Sequence, residues 1–270
     1  MPVPGGVNGL AVAHHRQAFL QRQDGNLLWP AEALQAAVAP WLLDVQGIGY
    51  WDGQPVFLYE LAQDPQQPDW QWAGLRAQLM HQDARFYRML AYASQVGTWS
   101  REHRFCGSCG QPMQSSERHR MRYCEPCGLD QYPRLSPSMI VLVTRDEELL
   151  LARAHRFVSG MYSCLAGYTE PGETMEDCVH REVHEETRVR IHNLRYIGSQ
   201  NWPFPHSMMF GYHAEYLSGD IVIQEDEIED AGWFSIHDLP PLPMQGSIAR
   251  YLIDLYLYQR LGGSEPVLPG

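Results

Sequence analysis

The chain has 270 residues, a hydrophobic content of 44%, a charged content of 19% and a net charge of −12 at pH 7. This length allows two modest domains with cores of their own, and the composition is typical of a soluble globular protein. The negative net charge argues against a general nucleic-acid binder. The sequence contains no run of eighteen apolar residues, so neither a transmembrane helix nor a membrane partner is predicted. All 20 basic residues are arginine, which excludes Schiff-base chemistry and a P-loop lysine. The N-terminus lacks the features of a secretory signal, so we expect a cytoplasmic location.

Residues 1–100 are predicted to form a small α+β domain without a catalytic constellation. Two apolar segments, 45–50 and 56–61, flank Asp52-Gly53, a pattern that predicts a β-hairpin. From about residue 71 to residue 96 the apolar positions approximate the stripe of a helix. His14 and His15 are expected to be exposed, and no internal repeat is evident in the sequence.

Two C-x2-C knuckles separated by fourteen residues predict a zinc ribbon over residues 101–132. Four thiolates complete a tetrahedral shell and leave no position for a catalytic water, so we expect one structural Zn²⁺ per chain. Disulfides are less favoured in a cytosolic chain, and a C-x-x-C redox pair lacks its usual βαβ setting. The predicted zinc ligands are Cys106, Cys109, Cys124 and Cys127.

The segment between the knuckles contains a group of basic residues, Arg118, His119, Arg120 and Arg122. Two interpretations remain open for this group: its side chains contact phosphate or RNA, or they lie in a loop that is simply exposed to solvent.

Residues 133–262 are predicted to form an α/β domain. Apolar segments at 138–144, 149–154 and 162–166 predict three strands, the first of them buried on both faces. A Gly-Pro-rich loop and an acidic helix follow, with Thr174 and Asp177 as a plausible helix N-cap. Later segments predict strands at 194–199 and 208–217 and an amphipathic helix at 249–261.

The acidic helix concentrates carboxylates on one face. Glu182 and Glu186 are four residues apart, and Glu185 borders the same face. Residues 167–230 contain four arginines and fourteen acidic residues, so an anionic substrate would be repelled unless a divalent cation reversed the local charge. Carboxylate ligands suit Mg²⁺ or Mn²⁺; the alternative is an ordinary solvated acidic helix face.

The spacing of this segment is Gly167, five residues, Glu173, seven residues, then Arg181-Glu-Val-His-Glu-Glu186. It resembles the Nudix box of the Nudix hydrolase superfamily, with one departure: Arg188 replaces the family's glycine. The resemblance implies an α/β/α sandwich with a mixed sheet. It also implies that Arg181 orients a box glutamate and that Glu185 is a candidate general base. The implied ligands of Mg²⁺ or Mn²⁺ are Glu182, Glu185, Glu186, Glu227 and the backbone carbonyl of Ala166.

A second motif is Ser199-Gln-Asn-Trp-Pro-Phe-Pro-His-Ser207, of which residues 200–207 are predicted to form a loop whose aromatic faces are held by prolines. An aromatic lid over the core is the alternative. The motif resembles the SQPWPFPxS array of the NADH pyrophosphatase branch of the superfamily, with Asn201 in place of its first proline. The resemblance implies a substrate site formed by Gln200, Asn201, Trp202, Pro203, Phe204, Pro205, His206, Ser207, Tyr132 and Ala249.

Taken together, these resemblances imply a zinc-ribbon-containing enzyme that hydrolyses NAD(H) to NMN(H) and AMP, and that also removes a 5′ NAD cap from RNA. They further imply a homodimer. Two alternatives stay open: a zinc-ribbon RNA-binding or regulatory protein with a non-catalytic Nudix fold, and a Nudix pyrophosphatase for another nucleoside diphosphate derivative. The presence of Glu173 together with Glu182, Glu185 and Glu186 argues against a non-catalytic fold.

Overall fold

The computed structural model describes residues 8–81, 83–116, 118–157 and 160–269. These residues form two compact units. The first contains the chain up to Leu135 together with Pro203–His206, and the second contains Ser136–Trp202 and the chain from Ser207 onward. In the described part of the chain, no helix is both long and apolar enough to cross a membrane.

The first unit contains a mixed sheet covered by helices on both faces. Its strands run in the order β4-β5-β1-β2-β6, with β3 paired to β1 and β1 parallel to β5. Helix α3 packs on one face, where it contacts Val12, Val56 and Leu58, and α1 packs on the other. The elements are β1 Leu10–His15, β2 Ala18–Gln21, β3 Trp29–Pro30, α1 Ala31–Val38, β4 Leu42–Trp51, β5 Gln54–Leu61, β6 Gln71–Gly74, α2 Leu75–His81 and α3 Ala84–Glu102.

The predicted hairpin of this unit is confirmed, and the helical stripe predicted over about residues 71–96 is confirmed from Leu75 onward, where it forms two helices. Asp52 and Gly53 both have positive φ angles, 46° and 80°, which a two-residue hairpin turn requires. The predicted helical segment instead begins as strand β6 and is divided again at Asp83, whose side chain accepts a hydrogen bond from the Phe86 amide and starts α3. A side-chain cap of this kind fixes a new helix start inside a periodic apolar pattern.

The expectation that His14 is exposed is also wrong. His14 is fully buried on β1, and its Nδ1 atom lies 2.5 Å from the carboxylate of Glu60, which is itself fully buried. Arg101 donates to the other carboxylate oxygen at 2.6 Å. The network is packed against Gly97, since a Cβ at this position would overlap both His14 and Glu60. A buried charge is stabilised by such pairing, which sequence periodicity does not reveal.

A short three-stranded sheet follows, ordered β7-β8-β9, from Gln114–Ser115, Arg122–Cys124 and Leu129–Gln131. Each knuckle closes with the same backbone hydrogen bond, from Gly110 N to Cys106 O and from Gly128 N to Cys124 O, both at 2.8 Å. Both glycines have positive φ angles, which allows the chain to turn back tightly around a metal ligand.

The second unit is an α/β/α sandwich, which confirms the predicted fold class. Its sheet runs β13-β14-β10-β11-β15, with β12 paired to β10 and β10 parallel to β14. Alternate residues of β10 face opposite layers: Met139 and Val141 pack with α4, whereas Ile140 and Leu142 pack with α5. The elements are β10 Ser136–Arg145, β11 Glu148–Ala154, β12 Leu165–Tyr168, α4 Met175–Thr187, β13 Arg190–Trp202, β14 Ser207–Ser218, β15 Ile228–Ser235 and α5 Ile248–Leu261.

The two sheets have the same topology, although no internal repeat is evident in the sequence. Each large sheet is formed by three strands, a helix and three further strands in chain order, followed by one or two helices. The strand pairings are equivalent, and the parallel pair β1–β5 of the first sheet corresponds to β10–β14 of the second. The equivalent of α4 is α1, which is eight residues long and has Glu32 as its one acidic residue. The first unit therefore repeats the architecture without the carboxylates of the second.

Candidate active site

The loop and helix that contain the acidic motif have well-defined ends. Strand β12 ends at Tyr168, and α4 starts after Thr174, whose side chain accepts a hydrogen bond from the Asp177 amide at 3.1 Å. This confirms the N-cap predicted from the sequence. The acidic residues Glu176 and Asp177 lie in the first turn, where negative charge interacts favourably with the helix dipole.

The C-terminal end of α4 shows how the chain accommodates its departure from the Nudix pattern. Arg188 adopts a left-handed conformation, with φ 61° and ψ 3°, and its amide donates to the carbonyl of His184 at 2.8 Å. A glycine adopts this conformation without strain, whereas a residue with a Cβ does not. The backbone geometry of the cap is therefore retained although the glycine is absent.

We expect Arg188→Gly to raise the Tm by between 0 and about 3 °C and to leave kcat unchanged. Removing the Cβ relieves roughly 1–2 kcal/mol of left-handed strain, while losing the charge near the negative end of α4 costs about 0.3–1 kcal/mol. Arg188→Ala is the matched control, because it removes the charge and keeps the strain, so its Tm should fall slightly. Thermal denaturation and NADH kinetics test both variants. A tenfold loss of kcat/KM without loss of stability would show instead that Arg188 contacts the substrate.

Arg181 lies at the centre of the acidic face and joins its carboxylates. Its guanidinium binds both oxygens of Glu173, at 2.7 and 2.9 Å. The same side chain lies 2.9 Å from Glu182 and 3.0 Å from Glu185, and it donates to the carbonyl of Tyr168 at 3.0 Å. This pairing lowers the pKa of Glu173 to about 2, so Glu173 is ionised at every physiological pH. Arg181 thus fixes the geometry of the loop and of three glutamates.

Glu186 has a different environment from the glutamates that Arg181 binds. The residue is 5% exposed, and its Oε2 atom has no hydrogen-bond partner. Burial, together with the negative charges of Glu182 and Glu227, raises the pKa of Glu186 to about 8. The pKa of Glu182 is also raised, mainly by burial. A buried carboxyl with an unused oxygen beside other carboxylates is the arrangement that a divalent cation would stabilise.

Two backbone features shape the space around these carboxylates. A Cβ at Gly167, near the end of β12, would overlap the carboxyl group of Glu182, so a larger residue there would require this carboxyl group to move. Glu227 is exposed and lies in a turn next to the end of α4. A hydrogen bond of 3.1 Å from Gln224 N to Glu186 O attaches this turn to the helix. Ala166, whose carbonyl was predicted as a metal ligand, lies on β12 opposite Ile140 and directly before Gly167.

The predicted substrate motif is not a continuous loop, which corrects the sequence interpretation. Gln200, Asn201 and Trp202 continue strand β13, and Ser207 begins β14, with Trp202 opposite Ser207. Only residues 203–206 form the connection. Because the pairing extends to Trp202 and Ser207, β13 and β14 are the longest strands of the sheet, at 13 and 12 residues. The motif is therefore a β-hairpin with a proline-containing turn.

The turn Pro203–His206 belongs to the first unit. Phe204 is partly buried against the apolar core of that unit, and the guanidinium of Arg76 lies 4.2 Å from the centre of its ring. The Phe204–Pro205 peptide bond is cis. The pKa of His206 is lowered, mainly by burial of its side chain. Tyr132, also in this unit, is 58% exposed.

The remaining predicted substrate residues lie in the second unit. Gln200, Ser207 and Ala249 are buried, and the Oδ1 atom of Asn201 is buried without a hydrogen-bond partner. The hydroxyl of Ser207 pairs with that of Tyr168 at 2.8 Å. Tyr168 thus connects the hairpin to the loop that contains Glu173.

The four cysteines of the ribbon come together as predicted. Their sulfur atoms lie within 4.8 Å of one another, and those of Cys109 and Cys124 are 3.5 Å apart. A tetrahedral zinc site with Zn–S bonds of about 2.3 Å places sulfurs roughly 3.8 Å apart, so the cluster fits Zn²⁺. All four are free thiols, which argues against the disulfide alternative. Among the residues that the structure describes, this is the one group of His, Cys, Asp or Glu side chains so closely gathered.

The basic group between the knuckles divides into two pairs. Arg120 donates to the side chain of Gln46 at 3.2 Å and to the carbonyl of Gly47 at 2.5 Å. Arg122 is buried and donates to Asp44 at 3.1 Å and to Ser100 at 2.9 Å. Neither interpretation from the sequence describes these two arginines, because they attach the ribbon to β4 and α3. Arg118 and His119 are exposed.

Three family models match the chain in succession. They are the NADH pyrophosphatase-like rudimentary NUDIX domain at residues 7–99, the NADH pyrophosphatase zinc ribbon domain at 101–132 and the NUDIX domain at 134–256. The chain is 57% identical, over 97% of its length and 94% of the relative's, to the NAD-capped RNA hydrolase NudC of Pseudomonas fluorescens strain Pf0-1. This protein belongs to the NADH pyrophosphatase family of Nudix hydrolases. It is also 58% identical, over 100% of its length and 96% of the relative's, to the protein of that name from Pseudomonas aeruginosa strain LESB58.

A solved structure supports the fold of this Nudix hydrolase independently. The NUDIX hydrolase from Nitrosomonas europaea matches with a TM-score of 0.51 and 18% identity, over 61% of this chain and 96% of that one. The first unit of the present protein corresponds to the rudimentary domain of its family, in agreement with the duplicated topology and the missing carboxylates.

Two residues that shape the site of this Nudix hydrolase, Tyr168 and Arg156, are not predicted by the sequence motifs. Tyr168 contacts Arg181 through its carbonyl and Ser207 through its hydroxyl. Its position directly after Gly167 was the one available signal. Arg156 is exposed, and its positive charge lowers the pKa of Glu186 against the effect of burial. Nothing in the spacing of the chain indicates that contribution, because thirty residues separate the two positions.

Proposed function

We propose that this protein hydrolyses the diphosphate bond of NAD(H), so that NAD(H) and water give NMN(H) and AMP. We also propose that it removes the 5′ NAD cap from RNA and leaves a 5′-monophosphate end. The observation that carries the proposal is the likeness to NAD-capped RNA hydrolases over nearly the whole chain, with the box glutamates of α4 present. A second candidate, cleavage of another nucleoside diphosphate derivative, uses the same carboxylates.

The proposed catalytic metal is Mg²⁺ or Mn²⁺, held by Glu182 and Glu186 with Glu185, Glu227 and the Ala166 carbonyl as further ligands. The unpaired buried oxygen of Glu186 and the raised pKa of its carboxyl support this assignment. When bound, such a metal neutralises the diphosphate charge and lowers the pKa of water. The four cysteines hold a separate structural zinc ion, which the closed thiolate shell and the ribbon match support.

In the proposed mechanism the protein supplies positioning and a base. Glu185 has a half-exposed side chain, so it is accessible to the attacking water, and Arg181 holds it in place at 3.0 Å. Glu185 removes a proton from water, the oxygen of that water bonds to one phosphorus, and the bridging P–O bond breaks to release the other nucleotide. Arg181 orients the carboxylates and is not expected to contact substrate.

Product analysis tests the function. The purified protein is incubated with NADH, NAD⁺, ADP-ribose and NAD-capped RNA, each with and without Mg²⁺ or Mn²⁺. We expect metal-dependent formation of NMN(H) and AMP, and 5′-monophosphate RNA from the capped substrate. Cleavage of ADP-ribose alone would favour the second candidate, and no cleavage of any substrate would favour a binding protein with a non-catalytic fold.

We expect Mn²⁺ affinity to rise about tenfold per pH unit between pH 6 and 8, because metal must displace the proton of Glu186. The sign follows from the raised pKa: the carboxyl is protonated at neutral pH in the metal-free protein and ionises as the pH approaches 8. Electron paramagnetic resonance of free Mn²⁺ measures the affinity on zinc-loaded protein. Glu186→Gln should reduce the slope, because the proton of Glu186 no longer has to be displaced, whereas Glu176→Gln, at an exposed position of the same helix, should retain it. A pH-independent affinity would contradict the proposed ligand.

Three further expectations remain proposals. The division into domains at residues 1–100, 101–132 and 133–262 is supported by the family matches and is testable by limited proteolysis. A homodimer is proposed on the family resemblance and is testable by light scattering. A cytoplasmic setting suits a thiolate zinc site, because thiols stay reduced there.

A further inference from the structure

Gln200 has an environment that differs from that of a ligand-binding residue. It lies on β13 opposite Met209 and is 2% exposed. Its side-chain Nε2 donates to the carbonyl of Gly246 at 2.8 Å, and its Oε1 accepts from the amide of Ile248 at 2.8 Å. A planar amide that uses one donor and one acceptor in this way pairs with the edge of a peptide segment, as a neighbouring strand would.

The segment that Gln200 binds leads directly into α5. Ile248 is the first residue of that helix, so its amide has no intrahelical partner. Ser247 caps the helix locally, since its hydroxyl accepts from Arg250 N at 3.3 Å and donates to Met244 O at 2.8 Å. Gln200 therefore provides a second cap to α5 from a different strand.

Packing keeps the same segment against the sheet. A Cβ at Gly211 of β14 would lie 2.8 Å from the side chain of Ile248, so the glycine allows Ile248 to contact the strand closely. Ala249 is the next residue and is 7% exposed. The start of α5 is thus fixed by one amide pair from β13 and by one close contact with β14.

We propose that Gln200 is a positioning residue of the substrate site: it fixes residues 246–248 and the start of α5 against β13 and does not contact the dinucleotide. The inference rests on the proposed function and changes the role that the motif resemblance assigns to Gln200. Gln200 joins β13 to the start of α5. It therefore keeps a constant distance between Trp202, two residues further along β13, and Ala249, the second residue of α5. No accessible part of the amide is left for a ligand.

Gln200→Glu tests the proposal, because it keeps the side-chain length and the acceptor for Ile248 while it replaces the donor to Gly246 with an oxygen. When the new carboxyl group is ionised, two oxygens face each other; when it is protonated, its O–H restores the donor. Burial raises the pKa of such a group well above 4, so the change of state falls in an accessible pH range. Stability should therefore be near that of wild type at low pH and be lost as the pH rises.

We expect the KM for NADH of Gln200→Glu to exceed the wild-type value about tenfold at pH 8, with kcat within about twofold, and to approach it at pH 6. The Tm difference from wild type should follow the same pH dependence. Gln259→Glu is the matched control: it makes the same change on an exposed residue of α5 and should show neither effect.

A KM that is raised equally from pH 6 to 8 without a Tm difference would overturn the proposal and show a direct substrate contact. An unchanged KM at pH 8 would also overturn it. If wild-type protein cleaves no NADH, the proposed function fails, and the pH-dependent Tm difference still decides whether Gln200 fixes the start of α5.

Discussion

Glu186→Gln should lower the NADH turnover number at least ~100-fold while the fold remains intact. Gln has the size of Glu but cannot ionise, so it cannot serve as an anionic metal ligand. The wild-type carboxyl is protonated at neutral pH when no metal is bound, because its pKa is about 8. The substitution therefore resembles the metal-free state of the wild-type protein, and the metal-free Tm at pH 7 should be nearly unchanged.

The diagnostic measurement combines steady-state kinetics with the increase of Tm on adding Mn²⁺. Wild type should gain stability from the metal, and Glu186→Gln should lose most of that gain. Glu176→Gln is the matched control, since Glu176 is exposed in the first turn of α4 and is not among the proposed ligands. Near-normal NADH cleavage by a well-folded Glu186→Gln protein would refute the metal-ligand role of this residue.

The ends of α4 could be predicted from the sequence because they depend on local interactions. The cap at Thr174 involves a residue three positions away, and the turn at Arg188 involves one four positions away. Both contacts lie within one turn of the helix, so motif spacing contains the necessary information. The same reasoning explains why the two knuckles of the ribbon were predicted correctly.

Interactions between distant segments could not be predicted in this way. The buried pair of His14 and Glu60 joins residues 46 positions apart, and the contact of Arg122 with Asp44 spans 78. Each of these side chains is polar, and a polar residue type taken by itself favours a surface position. Burial is possible because the partner strand or helix supplies a hydrogen bond, and that partner is determined by topology.

The duplicated fold was missed for a related reason. Topology is maintained by apolar residues that alternate along strands, and many sequences satisfy that pattern. The functional residues, which make the second unit recognisable, are absent from α1. Prolines and aromatic residues dominate the composition of residues 200–207 and predict a loop, whereas pairing between β13 and β14 makes this segment a hairpin.

Cys124→Ser should abolish stoichiometric zinc binding and strongly destabilise the protein. Structural zinc contributes of order 10 kcal/mol to folding in small zinc domains, so loss of one ligand removes a large part of that free energy. Cys124 is fully buried on β8, the strand that also contains Arg122. Unfolding of this strand would break the contacts of Arg122 with Asp44 and Ser100, so the destabilisation should extend from the ribbon into β4 and α3.

The control for this variant is Cys164→Ser. Cys164 is also buried, but it lies in the second unit, where its thiol contacts the carbonyl of Ala249 at 3.6 Å. Both substitutions place a hydroxyl in a buried position, so they share that cost, and zinc content separates them. Elemental analysis should find about one zinc per chain in wild type and in Cys164→Ser and much less in Cys124→Ser. Thermal denaturation should show the larger loss for Cys124→Ser, and a Cys124→Ser protein with full zinc content and wild-type Tm would refute the zinc ribbon.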